Sequence, residues 1–128
     1  KLSPEMCGIG PFVPHKDTKF KNENHGDVSL VLMLLSIIRL LKPNILLPAT
    51  TALGTVDPLG REKGILHGAN VVMPNLSPVK HRKDYSLYDN KICTGDEAAQ
   101  CIGCLADRMK KIGYEIVTDR GDYTENYD

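Results

Sequence analysis

The sequence has no excess of either charge: Lys plus Arg and Asp plus Glu number 16 each. A protein built to neutralise phosphates or an anionic bilayer carries a basic face, so neither nucleic acid nor a membrane surface is an expected partner. It also lacks a long apolar run. The most apolar window, Val28 to Leu41, is interrupted by Ser29, Ser36 and Arg39 and falls short of the roughly 20 apolar residues that a spanning helix needs. It reads as a core helix. No basic stretch followed by an apolar core and a small-residue cleavage site opens the chain, so secretion is not indicated and a cytoplasmic location is expected. There is no internal repeat and no low-complexity tract. The first residue is Lys1 rather than methionine, and the expectation is a piece of a longer polypeptide.

What is present fits one globular domain: 128 residues, 41% hydrophobic and 25% charged. The stretch Asn44 to Thr51 organises the rest. Its apolar half, Ile45-Leu46-Leu47, predicts a strand buried on both faces, and it ends in Pro48 followed shortly by the paired hydroxyls of Thr50 and Thr51. The Asp27–Leu41 helix pattern precedes it. A shorter helix, capped by Asp57-Pro58 and stopped at Gly68, follows and leads into a second buried run, Ala69 to Met73. This order is βαβ, the unit of parallel sheets.

Upstream, Met6 to Ile9 predicts a first strand that turns at Gly10-Pro11, and the polar stretch from His15 to Gly26 predicts a long loop. Leu53 to Val56 and Ser77 to Thr94 are expected to be loops. Asp96 then caps a helix in which Ala98, Ile102, Leu105, Met109 and Ile112 recur at helical spacing up to Gly113. Tyr114 to Val117 is a candidate strand, and the tail beyond it is polar. The fold class is therefore α/β. Each predicted strand delivers distinctive side chains at its C-terminal end, the polarity of a (β/α) barrel.

Three groups of residues could carry chemistry. Cys93, Cys101 and Cys104 follow the spacing C-x7-C-x2-C, in which two helical sulfurs one turn apart and a third from the preceding loop could meet at one metal centre. An iron-sulfur cluster, a zinc ion with a further ligand, or a set of reduced thiols would all satisfy this spacing. Thr50 and Thr51 could hydrogen-bond a polar ligand or an anion beyond the strand, or could shape a turn through their own backbone. Met6 and Met73 stand at strand ends, where methionine is commonly gap-filling core. Tyr85 and Tyr88 could cover a pocket or pack their loop down. Cys7 reads as a small apolar core residue, while His15, Asp17, His67 and His81 have no spacing that marks a triad or a metal site and most of them read as solvated.

In sequence order, Gly8-Ile-Gly-Pro-Phe-Val-Pro-His15 with Asp17-Thr18, Leu47-Pro-Ala-Thr-Thr-Ala52, Gly60-Arg-Glu62, Gly68-Ala-Asn-Val-Val-Met-Pro-Asn75 and the late cysteine triad resemble the C-terminal part of a radical S-adenosylmethionine enzyme. The pattern is most similar to the iron-iron hydrogenase maturases of the HydE family, in the group that includes biotin synthase and methylornithine synthase. The resemblance covers the chain from Met6 to about Tyr123. It implies the C-terminal part of a (β/α)8 (TIM) barrel, about three βα units plus a cysteine-bearing helix. On that division 1–92 are the βα units, 93–117 the cysteine-bearing segment and 118–128 a flexible tail.

The family's radical-generating 4Fe-4S cluster is bound by C-x3-C-x2-C, which this sequence does not contain. The resemblance therefore places S-adenosylmethionine cleavage in a longer parent, and the chain alone is expected to be inactive. It further implies that Met6, Thr50, Thr51, Met73, Tyr85 and Tyr88 line the substrate side of the cavity. The substrate would be a small organometallic or amino-acid-derived species, with other hydrogenase maturases as partners. Cys93, Cys101 and Cys104 resemble a peripheral 4Fe-4S or 2Fe-2S site. Two further readings are a stand-alone iron-sulfur module and a fragment of a sister enzyme of the biotin synthase or methylornithine synthase type. Three strands of an interrupted barrel also leave an open sheet edge and an apolar helix face, so association is expected.

Overall fold

The computed structural model describes residues 3–74, 76–82, 84, 87–90 and 98–123, without the side chains of Val79, Arg82 and 98–101. Its centre is the predicted apolar stretch. Leu46 donates its amide to the Glu5 carbonyl and accepts from the Cys7 amide, both at 3.0 Å, forming a parallel bridge with Met6. The Leu47 carbonyl points the other way and accepts from the amides of Asn70 and Val71. Alternate residues of a strand bond to opposite sides, so this segment lies between two neighbours. It continues as β1 (Pro48–Ala49), paired in parallel with β2 (Val71–Val72) in the register Pro48↔Val71, Ala49↔Val72. The Asn70 side chain pins that register by accepting from the Leu47 amide at 2.8 Å.

Helices cover one face. The helix α1 (Val28–Leu41) starts where expected, because the Asp27 carboxylate accepts from the Ser29 amide at 2.7 Å. It stops at Lys42, ahead of Pro43. Its Val31, Leu32 and Leu35 join Ile45, Leu47, Ala49 and Leu53 in the core, with Leu35 and Leu47 fully buried.

Residues 53–56, expected as a loop, belong instead to a helix, α2 (Thr51–Val56). The Thr50 hydroxyl accepts from the Leu53 amide, and the buried Leu53 side chain anchors the turn, a tertiary contact that overrides the loop-like Gly-Thr composition. The next helix, α3 (Gly60–Leu66), starts later than Asp57, whose carboxylate is occupied by the Leu59 amide at 2.9 Å and by Lys63. It ends as predicted at Gly68, which holds a φ of +102° that only glycine adopts freely. Gly64 lets α3 lie close on the sheet: a Cβ there would sit 3.1 Å from the Ala49 Cβ.

A one-turn helix, α4 (Val79–Arg82), lies in the expected 77–94 loop, with Pro78 immediately before it, where its missing amide costs nothing. The long helix α5 (Ala98–Lys111) follows the predicted pattern, with Leu105 and Met109 buried and Ile112 packed on the core, although Ile102 is exposed. It closes at Gly113, φ +83°, with the Tyr114 amide bonded to the Met109 carbonyl at 3.0 Å. Residues 114–117 do not form the expected strand. Ile116 packs onto the core, while Val117 faces solvent without a ladder partner among the described residues. The polar stretch after Val13 is a loop, but an ordered one. Successive turns run from His15 to Glu23, the Gly26 amide closes it onto the Phe12 carbonyl at 2.8 Å, and Phe12 and Phe20 meet edge to face. No helix among the described residues is long and apolar enough to cross a membrane.

The tie between α5 and α3 is ionic. Arg108 holds the Glu62 carboxylate through both Nε and Nη2, the latter at 2.7 Å, and also donates to the Pro58 carbonyl. Burial works against the Glu62 charge. The hydrogen bonds from Arg108 and its own backbone amide, with the charges of Arg108 and Arg61, outweigh it and hold the carboxyl below the ordinary glutamate value. Removing one partner of a pair this buried costs about 3 kcal/mol, so Arg108→Ala is expected to lower unfolding free energy by that order in a denaturant titration. A depressed folded pKa gives stability that is complete above the unfolded value and lost as pH falls through the folded one. Wild-type stability should therefore fall on acidification below the ordinary glutamate range, and Glu62→Gln should flatten that dependence.

Candidate functional site

Parallel strands present their C-terminal ends together. The bridge sets Met6 level with Leu46, and the β1–β2 register sets Pro48 level with Val71. Counting on from these pairs, Thr50 and Met73 fall at one level just beyond the ends of β1 and β2, with Gly10, four residues past the Met6 bridge, beside Thr50. Side chains alternate along a strand, so Met6, Thr50 and Met73 share the face opposite Leu47 and Ala49, which are buried under the helices. The exposures agree: Met6 is 45% and Met73 50% accessible. On this count Met6 lies four residues below the level of Thr50 and Met73.

The paired threonines divide. Thr50 is in extended conformation, φ −68° and ψ 156°, and its Oγ1 is the N-cap of α2, 3.3 Å from the Leu53 amide. Thr51 is the first residue of α2 and half-buried. Its carbonyl accepts from the Thr55 hydroxyl at 3.0 Å, while its own hydroxyl has no hydrogen bond among the described residues. Thus one hydroxyl is committed to the backbone and the other is available.

A residue that sequence reasoning missed stands beside them. A Cβ on Gly10 would lie 2.6 Å from Thr50 Oγ1, so glycine there lets the first strand end close against the cap. Two glycines alternating at a strand end, Gly8 and Gly10, were the available signal. The half-buried Tyr88 lies in the segment 87–90, which is tied to this end of the sheet by the Asp89 amide bonding to the Pro14 carbonyl at 3.1 Å. Tyr85 lies outside the described residues. Of the four residues read mostly as solvated, His15 is largely enclosed, with 18% of its side chain accessible and its Nδ1 3.1 Å from the Asp17 amide, while Asp17 is exposed. His67 and His81 are exposed, as expected, and Cys7 packs against the core.

Of the cysteine triad, Cys101 and Cys104 sit one turn apart on α5, and Cys104 is exposed. Cys93 and the Cys101 side chain lie outside what is described. Among the described residues no three His, Cys, Asp or Glu side chains gather as a metal-binding set.

A parallel sheet helix-covered on one face, with polar and thioether side chains at its C-terminal end, defines an α/β segment of the kind that carries its site on loops beyond the strands. The likeness to the HydE maturases carried by the sequence motifs is borne out by a curated relative, the "[FeFe] hydrogenase maturase subunit HydE" of Thermotoga maritima. The two are 44% identical over 117 residues, 91% of this chain. The chain spans about a third of that relative's length, 34%. No protein-family model matches it.

Replacing Thr50 by valine removes the cap and is expected to cost about 1 kcal/mol of stability, with Thr50→Ser restoring most of it. Thr51→Val should change stability by less than about 0.5 kcal/mol. Thermal melting of the three variants checks both expectations.

Proposed function

We propose that this chain is the substrate-side segment of a radical S-adenosylmethionine enzyme that acts, like its HydE relative, in assembling the iron-iron hydrogenase active site. The observation that carries this reading is the shared level and face of Thr50 and Met73, with Met6 below them, at the C-terminal end of a parallel sheet. In a (β/α)8 barrel that face is the interior and that end is the mouth. The flexible thioethers of Met6 and Met73 offer an adaptable, polarisable wall. The Thr51 hydroxyl offers a hydrogen bond to a polar ligand, and Thr50 holds the turn that presents it. Tyr88, with Tyr85, would cover the opening. A small organometallic or amino-acid-derived substrate suits a wall of this composition.

When bound in the longer protein, S-adenosylmethionine and its 4Fe-4S cluster supply a 5′-deoxyadenosyl radical. This chain's residues bind and orient the acceptor and keep water from it. The likeness to HydE over nearly the whole chain favours a HydE-type role over that of biotin synthase or methylornithine synthase.

The spacing of Cys101 and Cys104 on α5 and the exposure of Cys104 fit a peripheral cluster held with Cys93. Other hydrogenase maturases are the partners this role implies, in the cytoplasm.

In the full-length protein, Thr51→Val should reduce substrate turnover by tenfold or more while leaving uncoupled S-adenosylmethionine cleavage within a factor of two. Equal loss of both activities would reject the substrate-binding role. For the triad, anaerobic incubation of the chain with iron and sulfide should produce visible charge-transfer absorption that Cys101→Ser abolishes. A chain that takes up no iron would remove the peripheral site.

A further inference from the structure

Of the four histidines, His15 alone is enclosed, while His25, His67 and His81 are exposed. Its backbone is held by the turn it starts. The His15 carbonyl accepts from the Thr18 amide at 3.0 Å and from the Thr18 hydroxyl at 2.9 Å, and that hydroxyl accepts in turn from the Phe20 amide. The ring is held as well. Its Nδ1 accepts from the Asp17 amide at 3.1 Å, whereas the Asp17 carboxylate, at 3.8 Å, is beyond hydrogen-bonding reach. A ring nitrogen that accepts carries no proton, so the imidazole N–H is on Nε2. That N–H has no hydrogen bond among the described residues, and it is not sealed from solvent.

The residue before His15 sets where this donor stands. The Pro14 carbonyl accepts from the Asp89 amide at 3.1 Å, which brings the segment 87–90, with half-buried Tyr88, against the loop leaving the first strand. At the head of that loop Gly10 abuts the Thr50 cap, and Thr51 opens α2 next to it. Two donors, the Nε2–H of His15 and the Thr51 hydroxyl, are therefore carried by segments leaving neighbouring strands at the C-terminal end of the sheet. Closing the turn asks only for the Nδ1 acceptor, which an Asn side-chain oxygen supplies equally well. The imidazole adds a second nitrogen whose direction is fixed before any ligand arrives.

We propose that His15 is a substrate-binding residue, its Nε2–H donating to a carboxylate on the small molecule that the cavity takes, with the Thr51 hydroxyl donating to the same group. A carboxylate fits because it accepts only, offers two oxygens to two donors, and makes a stronger bond to each than a neutral acceptor does. The Asp17 carboxylate lies on the Nδ1 side of the ring and does not compete for Nε2. The inference rests on the substrate-side reading above and deepens it: within the class named there, it selects a ligand bearing a carboxylate, as an amino-acid-derived one does.

The test is NMR on the chain labelled with 15N-histidine, using sodium formate as the simplest carboxylate and sodium chloride at equal ionic strength as the control. The His15 Nδ1 should resonate as an unprotonated nitrogen, and formate should shift the His15 Nε2–H saturably while leaving His25, His67 and His81 in place. A protonated Nδ1, or a shift shared equally by the exposed histidines, would overturn the proposal. His15→Asn keeps the acceptor for the Asp17 amide and removes the donor. Read from the Thr51 amide, it should weaken formate binding about tenfold, the worth of one hydrogen bond to a charged group, with thermal melting unchanged. His15→Gln, which restores a side-chain N–H, should retain most of the affinity. Undiminished binding by His15→Asn would reduce His15 to a turn residue. In the longer protein, His15→Asn should leave the KM of S-adenosylmethionine for uncoupled cleavage unchanged; a rise would assign the carboxylate to that cofactor and overturn the substrate role. Formate binding as described in a protein that turns over no hydrogenase precursor would leave the carboxylate site standing and count against the proposed reaction.

Discussion

Everything in this structure depends on the opposed hydrogen bonding of Leu46 and Leu47. One residue bonds to Glu5 and Cys7, the next to Asn70 and Val71, and that alternation makes Ile45 to Ala49 a strand with neighbours on both sides. A strand so placed must be apolar on its helix-covered face, and Ile45, Leu47 and Ala49 are all buried. It must also be parallel to both neighbours, because a helix returns the chain on each side. The common direction of the C-terminal ends follows from connectivity. Side chains distant in sequence thus arrive at one level without any contact between them being needed to put them there.

The helical layer is fitted to that strand by small residues and by charge. Gly64 admits α3 to the Ala49 surface, and the Arg108–Glu62 pair secures α5 to α3. A buried ion pair contributes little net stability compared with an apolar contact of equal size, and losing one partner is costly. Its effect is to fix how the two helices are set against each other. The same logic applies to Arg39, whose donation to the Gly68 and Pro43 carbonyls locks α1 to the start of the strand segments.

Much of this was legible in the sequence where hydrophobic period and capping agreed. Asp27 with the Val28–Leu41 pattern and Gly113 at the end of α5 marked their helix boundaries because the signal is local. The parallel order of strands was readable from βαβ alternation. What could not be read was whatever depends on contacts between distant segments. Residues 53–56 look like a loop by composition and are helical because Leu53 is buried and Thr50 caps them. Residues 114–117 look like a strand but have no ladder partner among the described residues. The division of labour between Thr50 and Thr51 is likewise invisible without coordinates, since both are threonines and only geometry assigns one hydroxyl to the Leu53 amide.

The loop between Phe12 and Gly26 is pinched shut at its base by the 2.8 Å bond between those two residues, with Phe12 and Phe20 stacked edge to face within it. A segment clipped at the neck is decoupled from the length of chain beyond the clip. Doubling such a loop adds only about 0.6 kcal/mol of closure entropy, and the strand and helix on either side would not register the change. Beyond Pro14, whose carbonyl holds the 87–90 segment, this is a place where natural variants can differ in length and where a tag or reporter could be inserted without displacing the strand ends.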